Sequence, residues 1–378
     1  MEIKRFSIFN YIFVILLSCV IFNGFGIKAI YLGCGILLMA ISAFCFFSER
    51  YLSSNNKLLV LIWIWLIYHV ICAFISFDSN AIYICFQHIG ILFFFYMICH
   101  MDKVGLHKDF ILNYCKVIHL LVLIVLLFVV FITPAVMTNF ESYIYIGIAT
   151  FPCLILDLKK LKSVRIIILC MVWAFLAYTI GARAQVLSFV IYLMCLFLTY
   201  WLYKNNKKLS GWLFSLYYGL VNLFPILYSY LSQSPIRNQL DQLAINLSGS
   251  RFFSGRDILW LSVYNQMTSP LNIIFGLGFK TTSELVRSNI SLHNLYVTLF
   301  SEGGIILVVI FGIILFQIWN RLNESDSYIS KIMIALLVVV LYKQSFDISL
   351  IENNLWVAFS IWMMLGIGVN SDNNTLQN

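Results

Sequence analysis

The chain is short of charge: of its 378 residues only 11% are Asp, Glu, Lys or Arg, while 62% are hydrophobic. Water-soluble domains carry about 25% charged residues, so a chain dissolved wholly in water is excluded. Low-complexity tracts and internal repeats are absent, which removes disordered linkers, solenoids and arrays from consideration. Ten cysteines are present, but none forms a CxxC pair and none lies beyond Cys195. A disulfide framework and a thiolate metal site are therefore unsupported. No GxxxxGK[ST] motif occurs, which excludes a P-loop, and no HExxH motif or external DxD pair occurs, which leaves a catalytic metal without ligands. No cofactor is called for. The formal charge of +8 comes from Lys and Arg spread over short loops with no aromatic-basic module, so no nucleic-acid partner is expected.

What the chain has is apolar runs, with a mean hydropathy of +0.93. Its 33 Phe, 21 Tyr and 9 Trp suit rings that face lipid and polar tips that sit at the two interfaces. A helix needs about 20 apolar residues to cross the hydrocarbon. Runs of suitable composition fall at 7–22, 27–47, 58–77, 81–99, 110–132, 143–157, 164–181, 184–203, 210–231, 293–318, 330–349 and 352–369. The expected fold class is an all-α polytopic membrane protein of about 12 transmembrane helices. The start, "MEIKRFSIFNYIFVILLSCVIF", reads as the first of these spans, because apolar residues continue past Cys19 without a small-residue cleavage pattern. Most Lys and Arg residues, among them Lys159, Lys160, Lys162, Lys204, Lys207 and Lys208, fall on one side if the N-terminus is inside. Both termini are then predicted to be cytoplasmic. Residues 1–378 read as one integral membrane domain, and residues 232–292 as its large periplasmic loop.

A loop of that length in a compact chain is functional or disordered, and its composition speaks for order. In "SGSRFFSGRDILWLSVYNQM", Ser254 with Asp257 three places on has the pattern of a helix cap. Leu259, Trp260, Val263, Tyr264 and Met267 follow as an apolar stripe at helical spacing. A short amphipathic helix on the membrane or over a cavity is expected. "SPLNIIFGLGFKTTS" then supplies a proline turn and the pair Gly276 and Gly278.

Three constellations carry chemistry. Arg183, in the hinge of "YTIGARAQVLSF", is a cation at the external membrane boundary, either snorkelling to headgroups or fixed as an anion ligand. Arg256, with Arg251 five residues before it, stands at the start of the expected helix, where backbone N–H groups and planar guanidinium forks suit a diphosphate; a solvated arginine on a capped helix is the plainer reading. "SLHNLYVTLFSEGG" places His293 and Asn294 where the loop meets the membrane, with Glu302 nine residues on. Histidine suits proton abstraction from a hydroxyl near neutral pH. Glu302 is expected to orient a neighbour or to satisfy the break at Gly303 and Gly304. The other five histidines read as packing, hydrogen-bonding or surface residues. Lys280 and Arg287, further along the loop, join Arg183, Arg251, Arg256, Asn294 and Glu302 as substrate-binding candidates. The catalytic set is His293, Arg256 and Arg183.

The order "GARAQ", "SGRDILW", "SPLNIIFGLGF", "HNLYVTLFSEGG" resembles the bacterial O-antigen polymerase and O-antigen ligase family. That family has an arginine between two central helices, an "SGR…W" start to a large periplasmic loop, and an "HN.Y…E.G" turn into the next helix. The resemblance covers residues 181–304; elsewhere the agreement is in hydropathy and length. The chain has no clean arginine-x10-glycine repeats, so no role is taken from that pattern. The resemblance implies a metal-independent glycosyltransferase of the bacterial inner membrane whose donor and acceptor are oligosaccharides linked to undecaprenyl diphosphate. In it the arginines stabilise the diphosphate leaving group and His293 takes the acceptor proton. Membrane lipids and a chain-length regulator protein are the implied partners. A ligase that moves the finished glycan to lipid A core uses the same donor chemistry and stays open. A flippase for lipid-linked oligosaccharides, the alternative from another class, would show related halves and charge along many helices.

Overall fold

The computed structural model describes residues 2–21, 28–48, 57–76, 79–101, 106–132, 141–157, 164–202, 207–248, 251–253, 255–279, 291–325, 327–351 and 355–370. Among these residues every regular element is a helix. In chain order they are α1 (Glu2–Ile21), α2 (Lys28–Phe47), α3 (Lys57–Ser76), α4 (Ser79–Cys99), α5 (Lys108–Ile132), α6 (Glu141–Asp157), α7 (Val164–Thr179) and α8 (Arg183–Leu202). Then come α9 (Lys207–Ser232), the short α10 (Arg237–Ser248), α11 (Arg256–Gln266) and α12 (Pro270–Phe275), and finally α13 (Leu295–Glu324), α14 (Tyr328–Gln344) and α15 (Leu355–Asn370). Five of them, α3, α4, α5, α9 and α13, are long and apolar enough to cross a membrane.

The burial pattern divides the bundle into centre and rim. α15 is buried along its whole length and packs on α4, which is buried on nearly all sides from Ile84 onward. Helices apolar all round belong in the middle of a large assembly or in hydrocarbon. At the rim, Phe44, Phe74, Phe131, Met171 and Trp212 point their side chains outward. Large apolar surfaces on so many helices are stable only against another apolar phase. The chain is a membrane-embedded, all-helical protein.

The end of α14 and the start of α11 differ from the sequence expectation for local reasons. The run 330–349 ends as a helix at Gln344. There the Gln344 side chain takes the Leu350 N–H at 3.2 Å and the Asp347 carboxylate takes the Ile348 N–H at 2.8 Å. Side chains that bond nearby backbone groups compete with the helix ladder. The cap inferred at the start of α11 also differs: Gly255 occupies it with φ 85° and no side-chain cap bond, while Ser254 lies outside the described residues.

The described part of the loop has its own small core. Trp260, Val263 and Met267 of the predicted stripe are buried with Tyr228 of α9, Phe253 and Val297 of α13. Polar ties finish it: the Tyr228 hydroxyl donates to Phe252 O at 2.8 Å, and Asp241 accepts the Phe253 N–H at 2.9 Å. Beyond α12 the segment of Gly276 and Gly278 docks on a kink in α13, where Gly304 leaves helical geometry. The Ser301 and Glu302 carbonyls, turned away from their own helix, accept from Leu277 N at 2.7 Å and Gly278 N at 2.9 Å. The Tyr68 hydroxyl donates to Gly303 O at 2.8 Å. The backbone groups freed by the kink are thus paired, as a buried chain requires.

This contact is backbone against backbone, with a glycine on each side. A Cβ on Gly276 (φ 77°) would stand 2.5 Å from the carbonyl of Glu302 and from Gly303 N. Gly276→Ala is expected to destabilise the protein by on the order of 2–5 kcal/mol, combining left-handed backbone strain with overpacking. Thermal unfolding of the purified variant in detergent should show a clear drop in midpoint. An unchanged midpoint would mean that the loop is not clipped to α13.

Candidate functional site

A cavity of about 990 Å³ lies between the loop and the ends of α8, α9 and α14. Its roof is built from Arg237, Arg251, Phe252, Phe253, Gly255, Arg256 and Trp260. Its membrane-side wall carries Gly181, Ala182, Ala184, Gln185, Tyr342, Lys343 and Phe346. Four cations line it and, among the described residues, no carboxylate does. The summed field of four positive charges on apolar walls favours an anion.

The roof arginines are positioned by short-range contacts. Arg256 Nη1 donates to the Phe346 carbonyl at 3.2 Å, which ties the start of α11 to the turn after α14. Arg237, which no motif singled out, donates to Ser232 O at 3.2 Å and stands 5.5 Å over the Phe253 ring. It also pairs with Asp257 at 3.5 Å, the carboxylate being only 1% exposed and the guanidinium 41%. Asp257 is therefore a buried anchor for Arg237, out of reach of a ligand in the cavity. Arg251 is exposed at the cavity wall.

The "GAR" corner has a structural cause. α7 ends in a Schellman turn: Gly181 has φ 80°, Ala182 N donates to Ala177 O at 2.8 Å, and Gly181 N donates to Tyr178 O at 3.0 Å. Glycine is the residue that adopts this left-handed position without strain. α8 begins two residues later at Arg183, between Ala182 and Ala184, both of which line the cavity. The Arg183 side chain itself lies outside the described residues, as do Lys280 and Arg287.

The segment "LHNL" is pinned on both sides of its histidine. The Leu292 carbonyl accepts the Trp260 indole N–H at 2.7 Å. Asn294 caps α13, taking the Val297 N–H at 3.0 Å and donating to Ser345 O at 2.8 Å. Leu295 N donates to Asp347 O at 3.0 Å. Between these anchors His293 is exposed and has φ 49°. A left-handed backbone costs a non-glycine residue on the order of 1–3 kcal/mol, and such strain gathers at working sites. His293 is absent from the cavity lining; its neighbours bond to Trp260, which lines it, and to Ser345, beside Phe346, which does too. Tyr264, the loop's half-buried phenol, is pushed by its partial burial above its usual range and stays protonated.

Glu302 lies elsewhere. Wholly buried on α13, it has its Oε2 3.7 Å from His88 Nδ1 of α4, which is 3.1 Å from His69 Nε2 of α3. His69 Nδ1 faces the Trp65 carbonyl at 2.9 Å. A carbonyl can only accept, so His69 carries its hydrogen on Nδ1, and with both rings neutral the shared hydrogen sits on His88 Nδ1. The carbonyls freed at the break before Gly304 are taken by Leu277, Gly278 and Tyr68. The rule that ionisable groups in a membrane interior are there for a purpose is the signal that marks His69 and His88 in sequence. Among the described residues no group of three or more His, Cys, Asp or Glu could hold a metal ion.

Comparison with protein-family models, with curated proteins and with solved structures returns no match. Fold and site define the class: a helical membrane-embedded protein with a cationic cavity roofed by residues 237–260.

Proposed function

We propose that this chain is an O-antigen polymerase, a glycosyltransferase that joins undecaprenyl-diphosphate-linked oligosaccharide repeat units at the periplasmic face of the inner membrane. The observation that carries the reading is the cavity: four cations and, among the described residues, no carboxylate line it, beside the segment that bears the family-like motifs. A donor linked through a diphosphate needs its leaving group held and its charge balanced as the sugar–phosphate bond breaks. Preorganised cations supply that stabilisation. In the transfer the acceptor hydroxyl oxygen bonds to the anomeric carbon, the anomeric carbon–phosphate oxygen bond breaks with its electron pair on the diphosphate, and the hydroxyl proton passes to His293.

The reading includes about twelve membrane crossings, cytoplasmic termini and a periplasmic loop at 232–292. One test has two arms. A deletion strain should make lipopolysaccharide core bearing a single repeat unit; core with no repeat unit indicates a ligase, and an unaltered ladder ends the proposal. Reporter fusions after Asn206 and near Gln239 should report opposite compartments, with Gln239 outside. A cytoplasmic signal at Gln239 would put the cavity on the wrong side.

A further inference from the structure

From Ser269 to Phe279 the loop carries no charged residue. Ser269 caps α12, its hydroxyl accepting the Asn272 N–H at 3.1 Å. Ile273 and Leu277 turn inward to the small core around Trp260. Leu271, Ile274 and Phe275 turn outward and are 68%, 42% and 47% exposed. Three large apolar side chains uncovered on a helix of six residues suit an apolar phase and not water.

The neighbours of this segment show how deep it sits. α3 and α4 are consecutive helices long and apolar enough to cross a membrane, so Ser76 and Ser79 mark one boundary of the hydrocarbon. Gly278 packs just inside that boundary, where a Cβ would meet Ser76 and the Cys72 carbonyl. Phe275 and Gly276 reach further. Tyr68, about 12 Å along α3 from Ser76 at the helical rise, places its hydroxyl 3.3 Å from the Phe275 carbonyl and 2.8 Å from Gly303 O. The Phe279 ring is wholly buried, 5.8 Å from the rings of His69 and His88 inside the same two helices. A hydrocarbon layer about 30 Å thick is therefore entered to roughly a third of its depth. Both flanks of the segment, Met267 and Leu292, sit in the loop's own core.

The outward face of α12 is continuous with the lipid-facing rim. Ile71, Phe74 and Ile75 of α3 are exposed, as are Ile305 and Val309 of α13. Gly278 lies against Ile75, and the Ile274 carbonyl lies against Gly304, next to Ile305. Non-helical chain at membrane depth is tolerated only where its backbone is paired within the protein. Here Gly276 N donates to Asn272 O, Leu277 N to Ser301 O and Gly278 N to Glu302 O.

We propose that Pro270–Phe279 is a re-entrant segment that dips into the hydrocarbon from the loop side, with Leu271, Ile274 and Phe275 seated against lipid acyl chains. The inference needs only that the chain is embedded in a membrane and is independent of the activity proposed above. It makes the middle of the loop a membrane anchor, joined through residues 267–269 to α11 of the cavity roof.

The test places the full wild-type chain in nanodiscs of phosphatidylethanolamine and phosphatidylglycerol in which one acyl chain carries a photoactivated diazirine, and maps the adducts by mass spectrometry. Adducts are expected on Leu271, Ile274 or Phe275 as well as on the rim residues Phe74 and Ile305. A second arm uses a water-soluble maleimide, with wild type giving the background from native cysteines. Leu271→Cys and Phe275→Cys should react at least about tenfold more slowly than Gln242→Cys on the exposed face of α10, because the reactive thiolate does not form in hydrocarbon. Adducts on Phe74 and Ile305 with none on residues 270–275 overturn the proposal, whatever the thiols do. Fast thiol labelling then puts the segment in water, and slow labelling puts it under a second copy of the chain. Should the cysteine variants not fold, the wild-type adduct map decides alone.

Discussion

His293→Ala is expected to reduce turnover by roughly a hundred- to ten-thousand-fold, the range seen when positioned proton transfer is lost. The expectation rests on where the backbone puts this side chain. Leu292 and Asn294 are tied down on either side, and His293 is held outward with φ 49°. The amount of folded protein should hardly change, because an exposed imidazole contributes little packing. Donor binding should survive, since on the proposed reading the cations of the cavity hold the diphosphate. Only a neutral imidazole accepts a proton, so wild-type activity should rise with pH as the ring loses its proton, and the variant should lack that limb. The measurement is extension of purified lipid-linked repeat units across a pH series, variant beside wild type. Near-normal turnover with an unchanged profile would make His293 a turn residue and nothing more.

Arg256→Ala should lower the rate of chain extension by about a hundred- to a thousandfold, as the loss of one preorganised charge partner does in other active sites. Arg256 Nη1 is bonded to the Phe346 carbonyl at 3.2 Å, so the group is already oriented before a substrate arrives. Lysine should restore activity only in part: it offers a point charge in place of a planar fork and cannot reproduce that geometry. The effect should fall on kcat more than on KM, because the charge on the leaving group grows toward the transition state. Full-length ladders from a strain carrying Arg256→Ala would place the diphosphate elsewhere.

Some of this was legible in residues alone, and particular cases show why. The stripe at Trp260, Val263 and Met267 reads as a helix face because helical periodicity is a property of the chain, and these three side chains are buried as that face requires. The glycines of "GLG" and "EGG" stand out in sequence, but nothing in either segment says that they lie against each other. The histidines divide in the same way. His119 is a satisfied core residue: the Trp173 N–H donates to its Nε2 at 3.1 Å and its Nδ1 faces Thr150 at 3.0 Å. His88, in an equally apolar run, faces His69 and Glu302. Hydropathy cannot tell the two apart.

What the sequence determined by itself is the solvent and the local conformation. Its apolar runs are too long and too many for water, and their spacing makes helices, since each depends on neighbours only a few residues away. The tertiary structure alone decided the company each polar group keeps. Arg237, Arg256 and Lys343 line one cavity although up to about a hundred residues separate them, and Glu302 meets a histidine more than two hundred residues distant. The physical reason is one of range: helix formation is settled over a few residues, whereas charge clustering and the closing of a helix break need partners from distant parts of the chain, which only the packing of the whole bundle selects.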